Sequence, residues 1–327
     1  MKKIKLIFRK ITKKIFGLLP ASLKVFLLVY CFRSKNFIIE PVNFCNIRCV
    51  ACPWHTVMRR EKKSLSFDDF MIIFGKIKKD AKNITFYQMG EPLLNNDLFR
   101  MIKICTEQGI RTNIATNGML LGDKLEEVLD SGLSHIKIAL DGIDKETHEK
   151  YRAGSDFNKI IENIKRLKAE RDLRGLKEPT IIVQTLVNKY NQNQLSDLAE
   201  FARKYADKFV CKKMHLGRSE ELVAANRHFE TDLKEFKREN VSELKMYYKN
   251  MDFCPQFNNL VILSGGQLVQ CCFDYEAATS FGNLLQDDYE KILKSPARKN
   301  FLRNYFRRAN SLCQKCDLIQ DLLTYKF

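Results

Sequence analysis

Three cysteines, Cys45, Cys49 and Cys52, share one short segment, and five more follow in the C-terminal third: Cys254, the adjacent Cys271 and Cys272, and the pair in Cys313-Gln-Lys-Cys316. Thiolates are soft ligands, and at these spacings they suit zinc or iron-sulfur centres rather than hard cations. Three thiolates on one tight loop can hold three irons of a cubane cluster and leave the fourth iron open to a substrate or cofactor. The alternative is structural zinc, with His55 as a fourth ligand three residues beyond Cys52. Eleven cysteines in a chain with no recognisable secretory signal fit metal ligation in a reducing compartment better than disulfides, so a cytoplasmic location is expected.

Something must hold that loop in place. From residue 36 to about 217 the chain alternates short apolar runs with longer helical patterns, the signature of βα units around a parallel sheet. Strands are predicted near 36–42, 83–89, 111–116, 134–140, 180–187 and 209–216, with helices near 66–80, 96–109, 122–131, 155–173 and 191–206. The predicted fold class is α/β: a partial (βα)6 TIM-like barrel followed by a small C-terminal α+β cluster-binding domain. Chemistry in such folds gathers at the carboxyl ends of the strands, and the Cys45–Cys52 segment follows the first strand directly. Alternation along a strand sorts side chains by face. In the fourth strand Ile136, Ile138 and Leu140 should meet the helices, leaving Lys137, Ala139 and Asp141 in the lumen. The same rule sends Val210, Met214 and Leu216 outward in the sixth strand and Cys211, Lys213 and His215 inward, and it adds Tyr87, Glu91, Asn113, Asn117 and Gln184 to the lumen. A lumen this polar is built to hold a polar ligand.

The βα rhythm stops after residue 217. A charged helical stretch is expected from about 230 to 249, then Cys254, two strands around 258–263 and 267–273 joined through Ser264-Gly265-Gly266, a helix near 286–307 and the Cys313–Cys316 knuckle. This region reads as too poor in core residues to hold its shape without a metal centre. The expected division is 1–35 (basic N-terminal segment), 36–217 (barrel), 218–250 (helical linker) and 251–327 (auxiliary cluster domain).

With 327 residues and 45% hydrophobic content, the chain can bury a sizeable core, which excludes disorder. Its net charge of +17 is unevenly spread, since residues 1–36 carry ten Lys or Arg and no acid. Ile4, Phe8, Ile11, Ile15 and Leu18 recur at helical spacing opposite Lys2, Lys3, Lys5, Arg9, Lys10, Lys13 and Lys14, a basic amphipathic pattern. Such a helix can lie on an anionic membrane surface as a peripheral contact, or pack against the next domain with a solvated basic face. Nucleic acid is not the expected partner, because a basic tract alone lacks specificity. The stretch from Leu18 to Cys31, interrupted by Pro20 and Lys24, is too short and broken for the roughly 20 residues of a spanning helix.

Read together, Cys45-x3-Cys49-x2-Cys52 after the first strand, Met89-Gly90-Glu91-Pro92, Thr116-Asn117-Gly118 and Ile138-Ala139-Leu140-Asp141-Gly142 followed by His148 and Tyr151-Arg152 resemble the radical S-adenosylmethionine superfamily. Ala51 stands where that superfamily usually has a bulky residue, and Ala139 where it often has serine. Cys254, Gly266-x4-Cys271 with Cys272 adjacent, Phe281-Gly282-Asn283-Leu284 and Cys313-x2-Cys316 resemble its SPASM or shorter twitch extension. Five cysteines there suffice for one auxiliary cluster with one to spare, leaving Cys271 and Cys272 as alternatives; a zinc ribbon is the other reading of the region.

The resemblance implies a 4Fe-4S cluster on Cys45, Cys49 and Cys52, one auxiliary 4Fe-4S cluster, and S-adenosylmethionine as cofactor. Gly90, Glu91, Asn117, Asp141, Arg152 and Gln184 would contact that cofactor, Glu91 and Arg152 at its amino and carboxylate groups. It further implies a flavodoxin- or ferredoxin-type electron donor and a hydrogen atom abstracted from a peptide or a sugar-type substrate. Dehydrogenation or cross-linking would need a lumen proton acceptor, for which Lys213, His215 and Asp274 are candidates. A thiol at Cys211 in the lumen would instead return a hydrogen atom and give epimerisation. The reading of another class is a zinc-stabilised protein binding RNA or lipid through its basic face.

Overall fold

The computed structural model describes residues 16–215, 217, 219–237, 254–314 and 316. The basic pattern of residues 1–15, Leu216 and residues 238–249 of the predicted charged helix lie outside the described residues. Near the N-terminus α1 (Ala21–Phe26) runs into one π-helical turn, Leu27–Cys31. The parallel strands are β1 (Asn36–Ile39), β2 (Asn83–Phe86), β3 (Arg111–Thr116), β4 (His135–Ala139), β5 (Thr180–Val187) and β6 (Lys208–Lys213). Between them lie α2 (Pro53–Thr56), α3 (Phe67–Ile77), α4 (Leu98–Glu107), α5 (Leu125–Asp130), α6 (Lys145–Tyr151), α7 (Phe157–Leu173) and α8 (Leu195–Tyr205). After β6 come α9 (Glu220–His228), β7 (Asn259–Ile262), β8 (Leu268–Val269), α10 (Tyr289–Leu293), α11 (Pro296–Phe306) and α12 (Ser311–Gln314).

Local signals set the helix starts. Ser66 accepts a hydrogen bond from the Asp69 amide and caps α3, whose buried Phe70, Ile73, Phe74 and Ile77 repeat at helical spacing. Asp156 caps α7 in the same way through the Lys159 amide. The helix predicted over 286–307 is divided in two, because Ser295 caps a new start and Pro296, with no amide hydrogen, occupies its first position. The charged stretch predicted from 230 runs through turns up to Lys237, while the described helix of this region, α9, lies earlier, at Glu220–His228.

The sheet runs β6-β5-β4-β3-β2-β1-β7-β8 and does not close. The C-terminal segment is therefore joined to the barrel by hydrogen bonds, with β7 pairing parallel to β1 in the register Asn36↔Asn259 to Ile39↔Ile262 and β8 returning antiparallel. Nor is it poor in core. Leu260, Ile262, Phe281, Leu284, Ile292, Leu293, Phe301 and Leu302 are buried in the same cluster as Phe37, Ile39, Phe86 and Ile114. On the opposite face of the sheet Ile38, Val261, Leu263 and Val269 form a second small cluster with Tyr87 and Cys272.

Candidate active site

Most sequence-predicted site residues of the barrel sit at or just past the carboxyl end of a parallel strand, while Gln184 and Cys211 lie within β5 and β6 and Arg152 follows α6. Cys45, Cys49 and Cys52 follow β1, Gly90 and Glu91 follow β2, Asn117 follows β3 and Asp141 follows β4. The approach of two of these loops is close: a Cβ on Gly90 would stand 2.5 Å from the backbone oxygens of Val42 and Phe44, so any side chain there would push the cysteine loop away. The Glu91 amide donates to the Phe44 carbonyl at 3.0 Å and closes the junction.

The three thiols of the loop are near enough to feel one another's charge, and burial pushes Cys45 up to about 11 and Cys52 up to about 12. A thiolate at such a site is disfavoured unless a cation compensates it, which is the condition a metal centre meets. Two donors face the sulfurs: Asn117 Nδ2 lies 3.6 Å from Cys45 Sγ, and Arg152 Nη1 lies 3.6 Å from Cys49 Sγ. Among the described residues no three side chains converge as ligands of a single ion, and a cubane instead asks each thiolate to reach a different iron. His55, the fourth ligand of the zinc reading, directs Nε2 to the Cys49 carbonyl at 2.7 Å. The donor set thus fits an iron-sulfur cluster.

The charged residues of the site are engaged within the protein. Glu91 is buried, and its Oε1 accepts from Thr116 Oγ1 at 2.7 Å and the Leu93 amide at 3.1 Å, while Oε2 accepts from the Asn117 amide at 2.8 Å. Burial nevertheless pushes its carboxyl up to about 7 against those bonds. Its carboxylate therefore ties the β2 loop to the end of β3, with the lone pairs left over available to a ligand. Arg152 is likewise engaged: Nε donates to Asp141 Oδ2 at 2.6 Å, and Asp141 Oδ1 accepts from the Leu186 amide at 2.7 Å. Burial raises the Asp141 carboxyl and the Arg152 charge opposes this. The Asp141 amide donates to His148 Nδ1 at 3.1 Å, and burial pushes that imidazole down to about 3, so it is neutral.

A cavity of about 340 Å³ opens over these loops, lined on one side by Cys49, Cys52 and Arg152 and on the other by Cys272, Phe273 and Tyr275, with His215, Gln88 and Tyr87 between. This is within the size of a small-molecule pocket. Of the residues predicted for the lumen, Tyr87 and His215 line it, whereas Cys211 and Lys213 do not. Cys211 pairs with Thr185 and Lys213 with Val187, the set of β5 and β6 positions that includes Val183 and Phe209 of the outer core, so both face the helices. Met214, expected outward, packs with Ala51, Tyr151 and Leu186 beside the cluster loop instead. The inversion is one residue of register, possible because Lys208–Met214 carries apolar side chains on both faces. Lys213 Nζ reaches the Lys237 carbonyl at 3.4 Å. Asp274 is buried, accepting from the Ala278 and Thr279 amides at 2.8 Å each, and so shapes a turn rather than facing the cavity. Gln184 lies on the lumen face of β5, short of the cavity that Leu186 reaches.

In the C-terminal segment Cys254 is partly buried, within electrostatic reach of Cys271, Cys313 and Cys316. Cys272 faces the other way, into the cavity and the Tyr87 cluster. The sequence reading missed the residues that join the two cysteine regions. Glu40, wholly buried at the end of β1, accepts two bonds from Arg60 at 2.8 and 2.9 Å and two from Ser264 at 3.0 Å. Arg60 Nε donates in turn to the Tyr275 carbonyl, and the Gln88 amide group to that of Cys272. The one available signal was that Glu40 is the first acid of the chain, at the end of an apolar strand.

Comparison with known proteins agrees with this geometry. The model of the radical SAM superfamily matches residues 39–202, half of the chain, and that of the SPASM iron-sulfur cluster-binding domain matches residues 254–317. The chain belongs to the radical SAM superfamily. Its cofactors are accordingly S-adenosylmethionine and 4Fe-4S iron-sulfur centres, in place of the zinc reading. This radical SAM chain is 27% identical over 293 residues to the GTP 3',8-cyclase of Aliarcobacter butzleri, covering 78% of this chain and 88% of the cyclase. It is 29% identical over 178 residues to an uncharacterized Methanocaldococcus jannaschii protein, covering 54% of this chain and 56% of the relative. The AdoMet-dependent heme synthase of Methanosarcina barkeri matches at 27% over 162 residues, covering 49% and 44%. The chain thus spans about half the length of several curated relatives it matches. Among solved structures, Streptococcus suis SuiB bound to precursor peptide SuiA has a TM-score of 0.61 at 16% identity, covering 94% of this chain and 76% of SuiB. The AdoMet-bound anSMEcpe has 0.58 at 14%, covering 86% and 87%. These two show the fold.

Proposed function

We propose that this radical SAM enzyme oxidises a carbon centre of a peptide or sugar-type substrate held in the cavity between its two cysteine regions, by dehydrogenation or cross-linking. The observation that carries the reading is the cavity itself, which has Cys49, Cys52 and Arg152 in one wall and the loop after Cys271 in the other. When bound, the reduced cluster and S-adenosylmethionine supply a 5'-deoxyadenosyl radical for hydrogen abstraction, and an auxiliary cluster supplies an acceptor for the electron left on the substrate.

The chain's own residues hold and orient. Cys45, Cys49 and Cys52 ligate the first cluster, with Asn117 and Arg152 donating to the first two of these sulfurs. Cys254, Cys271, Cys313 and Cys316 ligate the auxiliary one, as their mutual proximity supports. Asp141 fixes Arg152 and Glu91 fixes the β2 and β3 loops, holding the cofactor side rigid. His215, in the cavity wall with its ring 5.0 Å from that of Phe273, is the proton acceptor, in place of Lys213 and Asp274. A flavodoxin- or ferredoxin-type protein delivers the electron. A peptide substrate is supported by the fold shared with SuiB, whose structure holds a precursor peptide.

A second reading, epimerisation, gains from one observation: besides Cys49 and Cys52 of the cluster loop, the thiol lining the cavity is Cys272, not Cys211. Cys272 would donate the hydrogen atom, and a one-electron donor and a proton would restore the thiol.

The test is anaerobic reconstitution followed by measurement of 5'-deoxyadenosine under a strong reductant. The wild type should hold about eight irons and cleave S-adenosylmethionine, and Cys45→Ala/Cys49→Ala/Cys52→Ala should lose all cleavage. Cleavage by that variant overturns the proposal. With a turned-over substrate, a product two hydrogens lighter marks oxidation, and a product of unchanged mass in ordinary water that takes up one deuterium in deuterated solvent marks epimerisation.

A further inference from the structure

Residues 16–34 precede the part of the chain that the radical SAM model matches and take no part in the cavity. They nevertheless carry half of the exposed large hydrophobic side chains found among the described residues: Leu18, Leu23, Phe26 and Tyr30, exposed by 84%, 41%, 52% and 45%. Leu23, Phe26 and Tyr30 are spaced by three and four, which puts them on one face of α1 and its π-helical turn, with the Phe26 and Tyr30 rings 5.0 Å apart. Val25, Leu28 and Val29 on the other face are buried in the core, so the exposed stripe is not spare core surface. No described helix is long and apolar enough to cross a membrane.

The stripe has a basic border. α11 packs along this segment, with Arg298 donating to the Leu28 carbonyl at 3.1 Å, the Phe16 and Phe306 rings 6.3 Å apart, and Lys299 Nζ 5.4 Å from the Tyr30 ring. Lys299, Arg303 and Arg307 are spaced by four and line one face from that contact onward, with Arg303 and Arg307 exposed. No acid precedes Glu40 in the chain, and among the described residues the acids near Arg33 are already paired, Glu290 with Arg33 at 2.6 Å and Asp80 with Lys35 at 3.3 Å. An amphipathic surface of Leu, Phe and Tyr rimmed by Lys and Arg matches the boundary between anionic headgroups and acyl chains. A second copy of the chain would bring two basic rows together, which opposes it as occupant.

We infer that the Leu23–Phe26–Tyr30 face with the Lys299–Arg303–Arg307 row is a docking surface for an anionic membrane. This differs from the sequence expectation, which placed membrane contact on the basic residues before Leu18. The test is co-sedimentation of the full chain with vesicles of phosphatidylcholine alone or with added phosphatidylserine, at low and high salt. The wild type should sediment with the phosphatidylserine vesicles, less so at high salt. Leu23→Ser/Phe26→Ser/Tyr30→Ser and, separately, Lys299→Gln/Arg303→Gln/Arg307→Gln should each lose affinity at least about tenfold while keeping wild-type iron content and circular dichroism. Phe26→Ser alone, at a half-exposed position, carries the test should the triple variant fail to fold. Wild-type sedimentation by folded variants would overturn the proposal, as would a wild type indifferent to lipid charge. A concentration-dependent dimer abolished by the same changes, or an acidic protein retained by the face in place of vesicles, would overturn it too.

Discussion

Cys271 and Cys272 are neighbours in sequence with opposite prospects. The chain turns at this point, with the Asp274 amide donating to the Cys271 carbonyl at 3.0 Å, so that one thiol can join Cys254, Cys313 and Cys316 while the other faces the cavity. Cys271→Ala should therefore lose about four irons, and Cys272→Ala should keep the full complement while changing turnover; iron and sulfide analysis of the two variants decides it. The buried His148 makes a second prediction, about pH. Its folded pKa, about 3, lies below the usual 6.5, so the unfolded chain binds the proton first as pH falls. The stabilisation by neutral His148 is complete above about 6.5 and is lost as pH drops toward 3. Between pH 7 and pH 5 that loss amounts to about 2 kcal/mol. His148→Asn, which keeps an acceptor for the Asp141 amide, should flatten the pH dependence by that amount relative to wild type in urea titrations. Comparing the two proteins cancels Glu91, whose raised pKa acts with the opposite sign.

At the scale of elements, the end of β1 governs the relation between the cysteine loop and the C-terminal segment. Glu40 has no solvent exposure, and its four accepted bonds come from Arg60 in the following loop and Ser264 beyond β7. Removing one partner of a buried ion pair leaves an uncompensated charge, a loss of about 3–5 kcal/mol. Arg60→Ala should show that loss in denaturant unfolding, and Glu40→Gln, which keeps acceptor and volume, should cost less. Because Arg60 also holds the Tyr275 carbonyl in the cavity wall, Arg60→Ala should raise the fraction of 5'-deoxyadenosine formed without product. Unchanged coupling would limit the pair to a stabilising role.

For the whole molecule, the central fact is that β7 and β8 extend the barrel sheet and that their apolar side chains share its core. A fragment ending at residue 250 would expose the β1 edge and the faces of Phe37 and Ile39 that meet the C-terminal core. It should be insoluble or lack cooperative unfolding, while the full chain gives one calorimetric transition. Two separate transitions would show that the C-terminal segment folds independently of the barrel.

The sequence by itself determined the elements and the chemistry. The pattern placed β3 and β5 to the residue, because turn residues bracket each strand, Gly109 and Gly118 around β3 and Pro179 and Asn188 around β5. The cysteine spacings located both metal regions, because ligands on one loop are close in space whatever the rest of the chain does. Tertiary structure decided the rest. The faces of Cys211, Lys213 and Met214 depended on which side of β6 packed against α-helices, a question left open by apolar residues on both faces. The bonds that occupy Glu91 and Arg152 come from residues 25 and 11 positions away, beyond the reach of local patterning. The pairing of β7 with β1 joins segments separated by most of the chain, and no periodicity in either strand records its partner.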